Sequence, residues 1–69
     1  MAGTVARVTE ISATSDTSFE DAIKIGIERA NQTLRNLKSA WVKEQEVEIG
    51  QGGQVSAYKV NLQISFVLE

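Results

Sequence analysis

Between Tyr58 and Leu68 the chain alternates with almost no interruption. Tyr58, Val60, Leu62, Ile64, Phe66 and Leu68 are apolar, and Lys59, Asn61, Gln63 and Ser65 stand between them. A period of two predicts a β-strand with one face against a core and one face in water. The strand is read over Gln54–Leu68, which is long for so small a chain. Earlier in the sequence the period changes. Phe19, Ile23, Ile27, Ala30, Leu34 and Leu37 recur at intervals of three or four, which predicts one helical stripe over Phe19–Leu37. Gly26 lies on that stripe, where the missing side chain lets a helix approach a sheet closely, at about 1 kcal/mol of helix propensity relative to Ala. Ile25 lies off it, either as an ordinary exposed residue or as a contact between subunits.

The remaining segments fit around these two. Thr17 with Glu20, and Ser18 with Asp21, each have the spacing of a capping box, so the helix is expected to begin near Ser18. Thr4–Ser12, rich in β-branched residues, predicts a first strand, and the polar run Ala13–Ser18 a loop. Ala40–Ile49 predicts a second strand. The glycines of Gly50–Gly53 predict a turn. The order strand, helix, strand, strand gives one α+β domain over residues 1–69. Its simplest form is a three-stranded antiparallel sheet ordered 1-3-2, with the helix on the apolar face. The row Lys59, Asn61, Gln63 and Ser65 then faces away from the helix, either into water or into a cavity of an assembly.

Composition changes this picture in one respect. A chain of 69 residues buries only about 60% of its unfolded surface, so its lone core is marginal. Such chains are usually reinforced by disulfides, a metal or oligomerisation. There is no cysteine and no histidine. Disulfides, thiolate and imidazole metal sites and His-dependent triads are therefore excluded, which leaves oligomerisation. The net charge of −2 argues against nucleic-acid binding, which calls for a basic face. No apolar run approaches the ~20 residues that span a bilayer. The first ten residues, MAGTVARVTE, hold no apolar signal core, so a cytoplasmic location and no membrane partner are expected. No acid/base pair stands at a diagnostic spacing. Gly50–Gly53 lacks the Lys-Ser/Thr of a phosphate loop and precedes a strand. An enzyme is not expected.

Two groups of residues carry candidate chemistry. Trp41, the sole tryptophan, is either a stacking platform or an apolar packing residue at an interface. On a regular strand it shares its parity with Ser39, and also with Val47 and Ile49, which look core-facing unless a bulge intervenes. Glu44, Glu46 and Glu48 alternate, so three carboxylates line one face of the second strand. They are either a solvated row paired with lysines and arginines or oxygen ligands for a divalent cation such as calcium.

The β-α-β-β order, the length, and the segments SFEDAIKIGIERANQTLRNL, VEIG and YKVNLQISFVLE together resemble the dodecins, over nearly the whole chain. The resemblance implies a hollow homododecamer, a sheet wrapped on a helix, and non-enzymatic binding and storage of a flavin, FMN or riboflavin, between subunits. In the flavin-binding pattern an Arg-Ala pair and a Thr at the helix end precede a Trp that stacks on the isoalloxazine ring. A Gln after the Tyr of the last strand bonds the ring edge. Here Arg29, Ala30 and Thr33 match. The Trp position falls on Ser39, with Trp41 two residues later, and the Gln position falls on Lys59. The expected flavin residues are therefore Trp41, Lys59, Ser39 and Gln45, and the expected metal residues are Glu44, Glu46 and Glu48. The run VKEQ is locally similar to calcium-binding relatives. A dodecin-fold assembly that binds a divalent cation or another small ligand in place of flavin, or that is purely structural, is the other reading.

Overall fold

The computed structural model describes residues 3–68, so the outer bounds of the expected domain, residues 1, 2 and 69, lie outside the described residues. Strand β1 (Ala6–Ser15) leads to helix α1 (Phe19–Thr33), then to strand β2 (Leu37–Ile49) and, after one 3-10 turn at Gln51–Gly53, to strand β3 (Val55–Val67). The sheet is antiparallel throughout, ordered β1-β3-β2. This is the expected β-α-β-β topology. The central position of β3 follows from its pattern, because a strand paired on both sides is the one whose apolar face is buried most completely. Val60, Leu62 and Ile64 are at most 1% exposed.

The helix begins where the capping spacing placed it, with one difference. The Ser18 side chain accepts a hydrogen bond from the Asp21 N–H at 3.0 Å, as an N-cap does. The Asp21 carboxylate does not return to Ser18. It accepts from Ser15 Oγ at 2.7 Å, and Ser15 Oγ in turn accepts from the Thr17 N–H at 2.9 Å. Ser15 is buried and ends β1, so strand, loop and helix start are tied by one hydroxyl. The polar run Ala13–Ser18, expected as loop, thus gives its first three residues to β1. Ala13 pairs with Val60, Thr14 with Lys59 and Ser15 with Tyr58.

The helix is four residues shorter than its apolar spacing implied, ending at Thr33 and not at Leu37. Leu34 is already extended, with φ −111° and ψ 152°, and Asn36 takes φ +60°, a conformation that asparagine tolerates better than most residues. Leu34 and Leu37 nonetheless pack against the core, Leu37 from the first position of β2. The spacing persists because both residues serve the same core from different backbones.

The face that α1 presents to the sheet is made of small residues. Ala22, Gly26 and Ala30, each one helical turn apart, are buried, and Phe19, Ile23 and Ile27 flank them as partly buried residues. A Cβ built on Gly26 would lie 3.1 Å from Ala13 Cβ and 3.1 Å from Leu62 Cδ1, closer than carbon atoms settle without a shift. The close approach expected of Gly26 is therefore present. At the far end Phe19 meets Tyr58 edge to face, with ring centroids 5.2 Å apart.

One chain does not cover its own apolar surface. It is 58 × 20 × 14 Å, with a radius of gyration of 14.5 Å, where about 11 Å is usual for this length. Val8, Ile25, Trp41, Val42, Val47, Ile49 and Val55 are exposed, and along β2 only Leu37 is even half-buried. The helix is too short to shield the distal part of the β2–β3 hairpin.

Candidate functional site

The face of the sheet opposite α1 is organised by the pairing register. Directly opposed residues of an antiparallel sheet share a face. Gln63 stands opposite Glu10 of β1 and Trp41 of β2, so Trp41, Gln63 and Glu10 form one row across the whole sheet. On one side of this row lie Ser39, Ser65 and Val8. On the other lie Glu44, Asn61 and Ser12, and beyond them Glu46, Lys59 and Thr14. The helix side carries Ile11, Leu62 and Val42, and the adjoining row Ala13, Val60 and Gln45.

A bulge fixes which face Trp41 occupies. The register of β2 against β3 shifts between Val42 and Glu44, which leaves Lys43 as an extra residue with no opposite number. One extra residue exchanges the two faces for everything beyond it. Ser39 and Trp41 therefore share the helix-free face with Glu44, Glu46 and Glu48, while Val47 stands opposite Tyr58 on the helix side. The shared parity of Trp41 and Val47 that a regular strand would impose does not hold. The sequence held a signal for this. Ala40 and Val42 are on one phase and Val47 is on the other, which requires a slip between them.

Trp41 is 67% exposed in one chain. It presents an aromatic surface beside the shallow Ser39–Ser65 row and next to the Gln63 carboxamide. Across the same face Lys43 Nζ reaches Glu10 Oε1 at 3.3 Å, an ion pair that crosses β3 and bounds the row on the side away from Ser39. Lys59 pairs with Glu46 at 3.6 Å, and Asn61 Nδ2 donates to Glu44 Oε1 at 2.8 Å. These exposed pairs orient side chains more than they stabilise the fold. A planar heteroaromatic ring needs a π-surface and donors and acceptors along its edge, and both are present on this face.

Of the expected flavin residues, Ser39, Trp41 and Lys59 share this face, but not one locality. Ser39 and Lys59 are separated by six residues of β3, about 20 Å, and Trp41 and Lys59 by four, about 13 Å. Gln45 stands opposite Val60, on the other side of the sheet, and is not brought together with them. Glu44, Glu46 and Glu48 do line one face, but the carboxylates of Glu44 and Glu46 are drawn to Asn61 and Lys59. Among the described residues no three acidic side chains gather into a group that could hold a metal within one chain. Gln63 was expected only as one of the polar row of β3, and its place beside Trp41, with Glu10 opposite and Lys43 nearby, comes from the register.

Two concavities lie elsewhere. A groove of about 580 Å³ runs between β1 and α1, floored by Ile11, Ala13, Gly26 and Leu34 and edged by Ile25 and Arg29. A second, of about 300 Å³, lies beside Leu37–Ala40 and is closed by Ile27 and Ile64. Neither contains Trp41. No helix among the described residues is long and apolar enough to cross a membrane.

Comparison with known proteins places this arrangement. A family model described as Dodecin matches residues 5–69. The dodecin of Thermus thermophilus is 40% identical over 67 residues, covering 97% of this chain and 96% of the relative. Its crystal structure superposes with a TM-score of 0.89 and covers 97% of each chain. The dodecin structure from Streptomyces coelicolor is 36% identical, with a TM-score of 0.92, and covers 100% of this chain and 97% of its own. Calcium dodecin of Mycobacterium tuberculosis is 32% identical over 62 residues, covering 90% of this chain and 86% of the relative. Its crystal structure, described as having a novel calcium-binding site, gives a TM-score of 0.81 at 31% identity, covering 94% of this chain and 91% of its own.

Proposed function

This chain belongs to the dodecin family, and from that premise we propose that it is a non-enzymatic, cytoplasmic flavin-binding protein. It assembles as a hollow homododecamer and stores FMN or riboflavin between subunits. The observation that carries the flavin reading is the placement of Trp41. The bulge at Lys43 turns the single indole onto the helix-free face, exposed and flanked by polar side chains. An indole kept out of the core in a chain this short of aromatics is available for stacking. Flavin binding is typical of the family, and the positions of Arg29, Ala30 and Thr33 match its flavin-binding pattern.

The assembly reading rests on the surface left bare. Among the described residues the buried apolar core is Ala13, Ala22, Ala30, Val60, Leu62 and Ile64, three of them alanines, and a chain this short is marginal on a lone core. The exposed apolar residues of β2 and the groove beside Ile25 need cover from other copies. Light scattering at micromolar concentration is expected to give a mass close to twelve times the 7.5 kDa chain. A monomer or dimer overturns the assembly.

The flavin reading is tested by titrating riboflavin and FMN into the assembled protein and following flavin and Trp41 emission together. Mutual quenching with sub-micromolar affinity is expected, and no quenching at tens of micromolar refutes it. A second reading, binding of a divalent cation such as calcium, is favoured by the common face of Glu44, Glu46 and Glu48. It requires carboxylates from more than one chain, since one chain does not gather them. Calcium that raises the melting temperature of flavin-free protein supports it. A melting temperature equal in calcium and in chelator removes it.

A further inference from the structure

We infer that Gln63, and not Lys59, reads the edge of the ring that stacks on Trp41. This rests on the flavin reading above and assigns the recognition of that ligand to different residues from those its family pattern marks. Both marked positions have changed here. Ser39 stands where the stacking Trp is expected, and Lys59 where the ring-bonding Gln is expected. The register shows how the lost pair is replaced. Trp41 is displaced by two residues from Ser39 along β2, and it remains on the same face. Its directly opposed residue is Gln63, which carries the same carboxamide that the pattern has lost at position 59.

Three features of this row favour Gln63. First, opposed residues in an antiparallel sheet have Cβ atoms about 5 Å apart, so an amide at 63 lies alongside the indole at 41. Second, the neighbouring row is Ser39, Ser65 and Val8. Its two serines are among the smallest side chains on the face, so the space that a Trp at 39 would fill lies open beside the indole. Third, Lys59 already faces an opposite charge. Its ammonium is 3.6 Å from Glu46, and it sits four residues along β3 from Gln63, about 13 Å away. No hydrogen bond or ion pair of the Gln63 side chain competes in the same way among the described residues. A carboxamide supplies both a donor and an acceptor, which suits a ring edge that alternates carbonyl and N–H groups, whereas an ammonium only donates.

The test compares Gln63→Met with Lys59→Met in the assembled protein, by quenching titration with riboflavin. Methionine keeps the length of each side chain and removes its hydrogen bonding, and both residues lie on the helix-free face, so the core is untouched. Light scattering confirms assembly of each variant before it is titrated. Loss of a ring-edge hydrogen bond is expected to weaken riboflavin binding by about fivefold to tenfold in Gln63→Met. The change in Lys59→Met is expected to stay within roughly twofold. Weakening in Lys59→Met equal to or greater than that in Gln63→Met overturns the assignment and leaves the flavin reading standing. An unmodified protein that binds no riboflavin overturns the flavin reading itself, and this assignment with it.

Discussion

Leu62→Ala is expected to lower the melting temperature of the assembly by 15 °C or more, from a loss of about 3–5 kcal/mol per chain. Leu62 is fully buried at the middle of the central strand, between Ile11 and Val42 in its row. Above it lies Gly26, whose would-be Cβ is only 3.1 Å from Leu62 Cδ1. Shortening the leucine therefore opens a cavity beneath a residue that has no side chain to lean into it. Ala13, the other near neighbour of Gly26, is equally short. A site that collapses poorly lies toward the upper end of the range for such truncations. A domain of this length has a total stability of only about 3–10 kcal/mol, so the loss is a large share of it. Leu62→Met keeps the volume and is expected to lose less than about 1.5 kcal/mol. Far-UV circular dichroism melts of the two variants decide the matter. A Leu62→Ala midpoint within a few degrees of the parent would mean that the helix does not seal this strand.

Trp41→Ala is expected to weaken flavin binding by about 5- to 150-fold, the range found when an aromatic stacking platform is removed. Trp41→Phe, which keeps a smaller ring, should fall between the variant and the parent. The indole is largely exposed, so truncation in a lone chain removes little packing. This separates the two roles open to the residue. If Trp41 is a platform, flavin affinity falls while the mass of the assembly and its melting temperature stay close to those of the parent. If it is a packing residue between subunits, the assembly loosens and its melting temperature falls even without flavin. Titration and light scattering on the same samples distinguish these outcomes.

The sequence was most legible where side-chain period and backbone geometry agree. The eleven-residue alternation of β3 placed the central strand and its buried face, and Ser18 marked the start of α1 correctly. It was least legible where one core draws on different backbones. Leu34 and Leu37 continue the helical spacing after the helix has ended, and no period distinguishes a leucine on the last helical turn from one on the first strand residue. Ala22 was overlooked for the opposite reason. A methyl group carries little hydrophobic signal, yet Ala22 is fully buried because close packing of helix on sheet selects small residues. Ala13–Ser15 read as loop because alanine, threonine and serine are weak strand signals, whereas pairing to Val60, Lys59 and Tyr58 holds them in the sheet.

The candidate site was legible in its residue types and not in its grouping. Trp41, Lys59 and Ser39 could be named because a family pattern marks their positions or because the indole is unique. That Gln45 faces the helix side while Gln63 faces Trp41 depends on register, and register depends on an extra residue whose position a sequence does not announce. The phase change between Val42 and Val47 was the available hint.

The bulge at Lys43 also has a consequence for how this strand tolerates changes in length. Within a regular ladder, an insertion or deletion misaligns every pair beyond it. Lys43 has no opposite number on β3. A deletion there removes a residue without removing a pair, so the sheet can close over it. Val42 and Glu44 would then be consecutive and would keep Leu62 and Asn61 opposite them, so Trp41 stays opposite Gln63 and every side chain keeps its face. The smallest genetic lesion that keeps the reading frame, the loss of one codon, would thus leave the fold and both of its faces intact and remove only the Lys43–Glu10 ion pair.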